Sequence, residues 1–291
     1  MRSWLFVPGD DARKIERALG ASADAVIFDL EDSVSLERKD EARRLTLRVL
    51  QETGRPAEGP RLYVRINALS TPFCEGDLDS VMTGAPDGIM LPKAAGGSDV
   101  ALLDARLSVR EALHEIPDGT TRIAAIATET AAAVFGLGTY AGCSDRLAAL
   151  TWGGEDLGAD IGVAAGRVDQ SWTEPFRLAR NLCLFGAAAA GVLAIDTVYT
   201  DFRDLDGLRR ECAEAARDGF SGKLAIHPDQ VPVINEVFAP TPAAILWAER
   251  IVAAFAAAGN AGVTSLDGKM LDRPHLRSAE RLLARAGRAP A

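Results

Sequence analysis

DRLAALTWGGEDLGAD, residues 145–160, is the stretch on which the reading of this chain turns. An apolar run, LAAL at 147–150, leads through Thr151 and Trp152 to Gly153 and Gly154, then directly to Glu155, Asp156 and Asp160. A strand that leaves through two glycines into carboxylates has two readings. It ends in an acidic helix cap, or it delivers a metal ligand to the mouth of a barrel. The choice depends on whether the same pattern recurs.

It does recur. SWLFVP (3–8) ends in Gly-Asp-Asp, ADAVIFDL (23–30) runs into EDSV, and RLYVRIN (61–67) runs into a Ser-Thr-Pro loop. DGIMLPK (87–93), TRIAAIATET (121–130), DRLAALTWGGED (145–156), GVLAIDTVYTD (191–201) and GKLAIHPDQ (222–230) complete the series. Helix-like segments separate them, among them SLERKDEARRLTLRVL (35–50), with Ser35 placed to cap it. Runs apolar on both faces fit parallel strands covered on both sides. Eight βα units in roughly 230 residues is the arithmetic of a TIM barrel. The expected fold is therefore α/β, a TIM (β/α)8 barrel over residues 1–240. A doubly wound open sheet is the alternative, weakened because no GxGxxG follows the first strand. After Pro240 the pattern changes. TPAAILWAERIVAAFAAAG (241–259) reads as one long helix, NAGVTSLDGKMLDRP (260–274) as irregular or hairpin-like, and HLRSAERLLARAG (275–287) as a final helix. This C-terminal helical and irregular extension, 241–291, is expected to be a lid reaching an adjacent subunit.

Composition removes several function classes. The 291 residues are 48% hydrophobic and 25% charged, with a formal net charge of −9. Such an acidic chain makes a poor nucleic-acid binder. Cys74, Cys143, Cys183 and Cys212 are widely spaced with no CxxC pair, so neither a zinc site nor a disulfide framework is expected. Reduced thiols suit a cytoplasmic protein. WLFV before Pro8 is too short for a signal-peptide core, and no membrane span is expected.

In a TIM barrel the site lies at the C-terminal ends of the strands. Those ends carry Asp10; Asp29, Glu31 and Asp32; Arg65 and Asn67; Lys93; Glu129; Glu155 and Asp156; Asp196; and His227. So full a set, acidic with a few bases, suits a hard cation and an anionic ligand. Mg²⁺ needs only one or two carboxylates, with water and substrate completing its shell. Glu129 and Asp156, on adjacent strands, either converge on such an ion or act as salt-bridged and capping carboxylates. Gly154 and Glu155 are expected to lie against the substrate, where glycine lets the backbone approach closely. The Glu155 side chain is expected to turn away from the metal, since neighbours at a strand end face opposite ways. Arg65 either grips a substrate carboxylate bidentately or pairs with Asp29, Glu31 or Asp32. His227 is a possible base or a satisfied structural histidine. The carboxylates around Lys93 argue for a charged, paired lysine rather than a Schiff base. Cys74 has no evident histidine partner.

Taken together, RSWLFVPGD (2–10), AVIFDLEDSV (25–34), YVRIN (63–67), IMLPK (89–93), ETA (129–131), WGGEDLGADIG (152–162), AIDTVYTDFRDLDGL (194–208), GFSGKLAIHPDQV (219–231) and DGKMLDRPHLRSAERLL (267–283) resemble the citrate lyase β-subunit-like branch of the HpcH/HpaI aldolase superfamily. The resemblance implies a TIM barrel binding Mg²⁺ through Glu129 and Asp156, with Arg65 holding the carboxylate of a 2-oxo acid. It gives Asp272, in GKMLDRP, the role of proton-transfer residue acting across subunits of a homotrimer or homohexamer. Glu31 and Asp32 would form an outer shell, and Arg2, Arg13 and Lys14 are candidates for the CoA phosphates. The implied reaction is reversible carbon–carbon cleavage of a 3-hydroxyacyl-CoA, such as malyl-, citramalyl- or citryl-CoA, into an acyl-CoA and a 2-oxo acid. Hydrolysis of a malyl-CoA-type thioester, and a citrate lyase β subunit acting on an acyl-carrier protein, are the alternatives.

Overall fold

A computed structural model describes residues 1–54, 59–169, 171–259 and 261–288. The chain divides into two compact units, Met1–Phe238 and Ala239–Ala291.

The first unit is built on eight strands: β1 (Ser3–Pro8), β2 (Ala25–Asp29), β3 (Arg61–Arg65), β4 (Gly88–Leu91), β5 (Arg122–Ile126), β6 (Leu147–Thr151), β7 (Leu193–Asp196) and β8 (Gly222–Ala225). They pair in parallel and close on themselves, with β1 between β2 and β8. This is the expected barrel. The strands are shorter than the apolar runs suggested, because the last residues of each run already belong to the loops.

Alternation along each strand sorts residues to two faces. Trp4, Ala25, Ile27, Tyr63, Met90, Ala124, Ile126, Ala149, Ile195 and Leu224 form a separate buried cluster that fills the barrel. The rings of Trp4 and Tyr63 meet there at 4.8 Å. The opposite face joins the helices in one large core that includes Val26, Phe28, Val64, Leu91, Ala125 and Leu150.

This parity corrects the placement of Asp196. Since Ile195 faces inward, Asp196 faces outward, toward the helices rather than the rim. It is fully buried and accepts hydrogen bonds from Trp152 Nε1 (2.7 Å) and Lys223 Nζ (2.8 Å), with Arg180 Nε at 3.4 Å. Lys223 is equally buried, lies opposite Asp196 in the strand register, and also reaches Glu211 at 2.6 Å. Burial pushes the Asp196 carboxyl up, but the Lys223 and Arg180 charges outweigh it and hold it below the usual range. This is a structural ion network in the barrel wall.

In the second unit, helices Pro242–Ala257 and Arg273–Arg285 flank an antiparallel hairpin, Val263–Leu266 with Lys269–Asp272. The turn is Asp267-Gly268, both at positive φ (51° and 74°), which matches the twist a two-residue hairpin requires. Ala248, Ile251, Phe255, Leu271, Leu276, Ala279 and Leu283 pack as its core. The stretch 230–257 is apolar and long enough by composition to cross a membrane. It is, however, two helices, Gln230–Val237 and Pro242–Ala257, and the longer has 16 residues against the ~20 that a span needs.

Candidate active site

β2 presents alternate residues Ala25, Ile27 and Asp29 to the interior, so Asp29 emerges at the mouth of the barrel. β3 does the same with Tyr63 and Arg65, and the register places Asp29 opposite Arg65. The pair is bidentate: Asp29 Oδ1 accepts from Arg65 Nε and Oδ2 from Nη2, both at 2.7 Å. Asp29 also accepts from the amides of Glu31 (2.9 Å) and Ser33 (3.1 Å), which fixes the loop after β2. Burial works against the Asp29 charge, but Arg65 and these donors hold its carboxyl below the usual range. Arg65 Nη1 lies 3.0 Å from Glu31 Oε2, and its guanidinium rests 4.9 Å from the centre of the Phe6 ring. Arg65 is therefore committed to Asp29 and Glu31, and Asp32 does not reach it. Three of its five N–H groups face these carboxylates, so a substrate carboxylate would meet an arginine already held rigidly in place.

Buried Lys39 pins the same loop from behind. Its Nζ donates to Leu30 O (2.6 Å), Glu31 O (2.7 Å) and Asn67 Oδ1 (2.9 Å). Asn67 is in turn tied to Leu30 O and Asp77, so it supports the loop rather than facing the site.

Lys93, just after β4, adopts the left-handed backbone region (φ 52°), uncommon for a residue with a side chain. That turn aims its amide at Glu129 Oε2 while its ammonium reaches Glu31 Oε1 (2.5 Å) and approaches Asp32 (3.4 Å). One residue thus ties two carboxylates together, as a charged and paired lysine. Glu31 is buried, and burial raises its carboxyl above the usual value despite Arg65 and Lys93. Its Oε2, though beside Arg65, has no hydrogen bond of good geometry.

Glu129 follows β5 and is 3% exposed. Burial first, then the nearby Glu31 and Asp156 charges, push its carboxyl up to about 8, against the Lys93 amide and Arg65. Asp156 lies in the first turn of the helix Gly154–Ile161, half-buried, while Glu155 is exposed. Both are helical rather than at a strand end. Their different exposure follows from the ~100° turn between helical neighbours, not from strand alternation. Of the two opening readings the helix is the one seen: the acids begin a helix, and the Asp156 charge acts on Glu129. Gly154 packs against the Trp152 and Trp172 rings, and with Glu155 it borders a surface cavity reaching Thr200.

Gly153 has ordinary extended geometry (φ −105°), so space rather than conformation explains it. A Cβ there would lie 2.7 Å from Glu129 Cγ and 3.3 Å from Ile126 Cγ2. Gly153→Ala is expected to push Glu129 aside and weaken divalent-cation binding by roughly 10–100-fold. Its overpacking cost should be about 1–3 kcal/mol. Titration calorimetry and thermal unfolding measure the two effects, and an unchanged cation affinity would remove Gly153 from this account.

Other rim candidates fall elsewhere. Arg2 precedes β1 and forms a bidentate pair with Asp24 (3.0 and 3.1 Å). It sits at the opposite end of a six-residue strand from the rim, roughly 20 Å away by strand rise, and is unsuited to a ligand there. His227 stacks on Phe202 at 4.9 Å, and its Nδ1 accepts from the Asp229 amide. Arg13 and Lys14 are exposed at the start of the first helix. Asp272 belongs to the second unit, where it caps the helix Arg273–Arg285. Sequence reasoning named Asp29 as one possible partner of Arg65, and the structure selects it together with Glu31. Lys39 as the anchor was passed over.

Among the described residues no three His, Cys, Asp or Glu side chains converge as a metal cluster. The acids that act on one another at the rim are Glu129, Glu31 and Asp156.

The HpcH/HpaI aldolase/citrate lyase family profile matches residues 2–228. The chain belongs to this family. As an HpcH/HpaI family member it is an enzyme of a lyase family. It is 36% identical to a (3S)-malyl-CoA thioesterase of Cereibacter sphaeroides, covering 98% of this chain and 94% of the relative. It is 36% identical to citrate lyase subunit beta of Leuconostoc mesenteroides subsp. cremoris (97% and 92% covered) and 34% identical to the mitochondrial citramalyl-CoA lyase of Rattus norvegicus (98% and 86%). The crystal structure of the Mycobacterium tuberculosis CitE protein with magnesium, acetoacetate and coenzyme A superposes with a TM-score of 0.75, at 34% identity, over 98% of both chains.

Proposed function

We propose that this HpcH/HpaI family member is a Mg²⁺-dependent carbon–carbon lyase acting on a 3-hydroxyacyl-CoA. Glu129 carries the reading: a buried carboxyl beside two others, Glu31 and Asp156, is a site short of positive charge. Two carboxylates suit Mg²⁺, which takes few protein ligands and keeps water or substrate. Glu31 Oε2 faces Arg65 Nη1 at 3.0 Å without a hydrogen bond of good geometry, so it keeps accepting capacity for an outer-shell water. The magnesium-bound CitE relative supports the choice of ion.

When bound, Mg²⁺ would supply Lewis-acid stabilisation of the alkoxide that precedes carbon–carbon cleavage, or that forms in condensation. Arg65, held flat by Asp29, offers its remaining N–H groups to the 2-oxo acid carboxylate. Lys93 and Asp29 keep Glu31 and Arg65 in register, so little reorganisation accompanies charge development. Asp272 exchanges a proton with the thioester α-carbon: it removes it in condensation and returns it in cleavage. Action of Asp272 from a neighbouring subunit, in a cytoplasmic homotrimer or homohexamer, is part of the proposal and is supported by the motif resemblance.

The test offers malyl-, methylmalyl-, citramalyl- and citryl-CoA with Mg²⁺ or EDTA and reads products by mass spectrometry. Metal-dependent release of a 2-oxo acid with an acyl-CoA is the expected result. Arg65→Lys should lower kcat/KM about 10²–10³-fold, and Asp272→Ala should lower kcat about 10²–10⁴-fold. Free CoA without oxo acid would move the assignment to thioester hydrolysis, the activity named for the C. sphaeroides relative. Turnover only of a carrier-protein thioester would favour a citrate lyase β subunit.

A further inference from the structure

The second unit pairs Asp272 with a residue that neither the motif resemblance nor the barrel accounts for. Asp272 ends the strand Lys269–Asp272 and is the N-cap of the helix Arg273–Arg285. Its carboxylate accepts the backbone N–H of His275 at the third helical position, and the His275 ring folds back over the cap. Such a box ordinarily carries Glu or Gln at that position, whose side chain accepts from the cap amide. Here the order of contacts is reversed. His275 Nδ1 lies 2.6 Å from Asp272 Oδ1 but 3.3 Å from the Asp272 amide.

One nitrogen cannot serve both contacts. It accepts from the amide only if bare and donates to the carboxylate only if protonated. Two bare acceptors at 2.6 Å would repel, so the shorter contact decides: Nδ1–H donates to Oδ1. The side chains are 40% and 51% exposed, accessible to an incoming ligand. Charged side chains on the neighbouring elements are paired elsewhere in the unit: Arg250 from the long helix with Asp267 of the turn (2.6 Å), and Glu249 with Arg288 (2.5 Å).

We propose that His275 is a positioning residue for Asp272, holding its carboxylate through Nδ1–H so that the anion is oriented for proton transfer. The inference rests on the reading of Asp272 as the proton-transfer group. In condensation Asp272 takes the thioester α-proton and the new alkoxide takes a proton from water; cleavage reverses both transfers, while His275 keeps its Nδ1 proton and changes only the strength of its hydrogen bond. A helix cap alone would need neither a hydrogen on Nδ1 nor the short contact.

The test has two arms, run on the full-length protein. In the first, ¹⁵N-histidine NMR reads the His275 tautomer in wild type and Asp272→Asn. The expected result is the Nδ1–H form in wild type, reverting toward the ordinary Nε2–H form in the variant. In the second, acyl-CoA cleavage is measured for His275→Ala and His275→Asn, whose amide can donate from nearly the Nδ1 position. Loss of an oriented neighbour is expected to lower kcat about 10–100-fold in His275→Ala with KM within about twofold, and His275→Asn should recover most of it. An Nε2–H tautomer in wild type would overturn the proposal, as would unchanged kcat in His275→Ala. So would a melting-temperature loss in His275→Ala without the kcat loss, since that is a cap and no more. If wild type cleaves none of the esters, the functional reading fails and the tautomer arm alone decides whether His275 holds Asp272.

Discussion

Glu129→Gln is expected to abolish Mg²⁺-dependent cleavage and to weaken Mg²⁺ binding by more than the roughly 10–100-fold typical of an outer-shell loss. The charge is what the substitution removes; volume and burial are kept. A further signature follows from the protonation of the wild-type residue. With no cation present its carboxyl is pushed up from 4.5 to about 8 by burial and by the Glu31 and Asp156 charges. A carboxyl whose pKa is raised on folding binds its proton more tightly in the folded state. Its contribution to stability is full below 4.5 and is lost as pH rises toward 8. Thermal stability in EDTA should therefore fall across that window, and added Mg²⁺ should restore it by binding the folded state. At pH 7 the ion must displace the Glu129 proton, so calorimetry in buffers of different ionisation enthalpy should show up to about one proton released. Glu129→Gln should remove both the proton release and this residue's part of the pH slope. Wild-type binding with no proton release at pH 7 would contradict the picture of a protonated, metal-ready Glu129.

Asp196→Ala is expected to cost about 3–5 kcal/mol of stability, because it leaves Lys223 and Arg180 buried without their shared anion. For a chain of this size that corresponds to a fall in melting temperature of roughly 5–8 °C. The carboxyl is held below its usual range by Lys223 and Arg180. Its contribution is therefore present at neutral pH and lost as pH falls through and below the usual carboxylate range. Pairing Asp196→Leu with Lys223→Met should recover much of the loss, since apolar replacement of both ions removes the desolvation cost along with the attraction. The recovery should be incomplete because Arg180, Trp152 and Glu211 also use the network. Chemical denaturation of the single and double variants measures this. A single-variant loss below about 1 kcal/mol would show that the network is not sealed from water as its burial indicates.

The two predictions also separate what kind of information each residue needed. Asp196 and Glu129 look alike in the sequence, each an acid near the end of an apolar run. The strand limits distinguish them: Asp196 lies inside its strand, where inward-facing Ile195 sends it to the helices, whereas Glu129 lies beyond the end of β5 and is placed by the loop. An error of one residue in a strand boundary reverses that assignment, since the side-chain period is two. Glu155 and Asp156 illustrate the same sensitivity: the strand ends at Thr151, so they obey helical rather than strand geometry.

The number and order of the strands were legible because period and punctuation are local properties of the chain. So was the glycine pair after β6, while 260–274 was read only as irregular or hairpin-like and its turn, Asp267-Gly268, came from the structure. The His275–Asp272 contact, three residues apart, was open to the same reading and was passed over. Barrel closure decided the rest. Asp29 and Arg65 stand 36 residues apart, and Lys93 and Glu129 also 36. Their pairing depends on strand register and on a left-handed turn at Lys93. Raised carboxyls at Glu31 and Glu129 exist only because folding buries these acids together and removes the water that would otherwise screen them. Local pattern was enough to tell which groups this protein owns and roughly which strand end each occupies. Which of them meet, and in which charge state, was decided by the tertiary structure, because burial and the mutual field of distant charges arise only when the barrel closes.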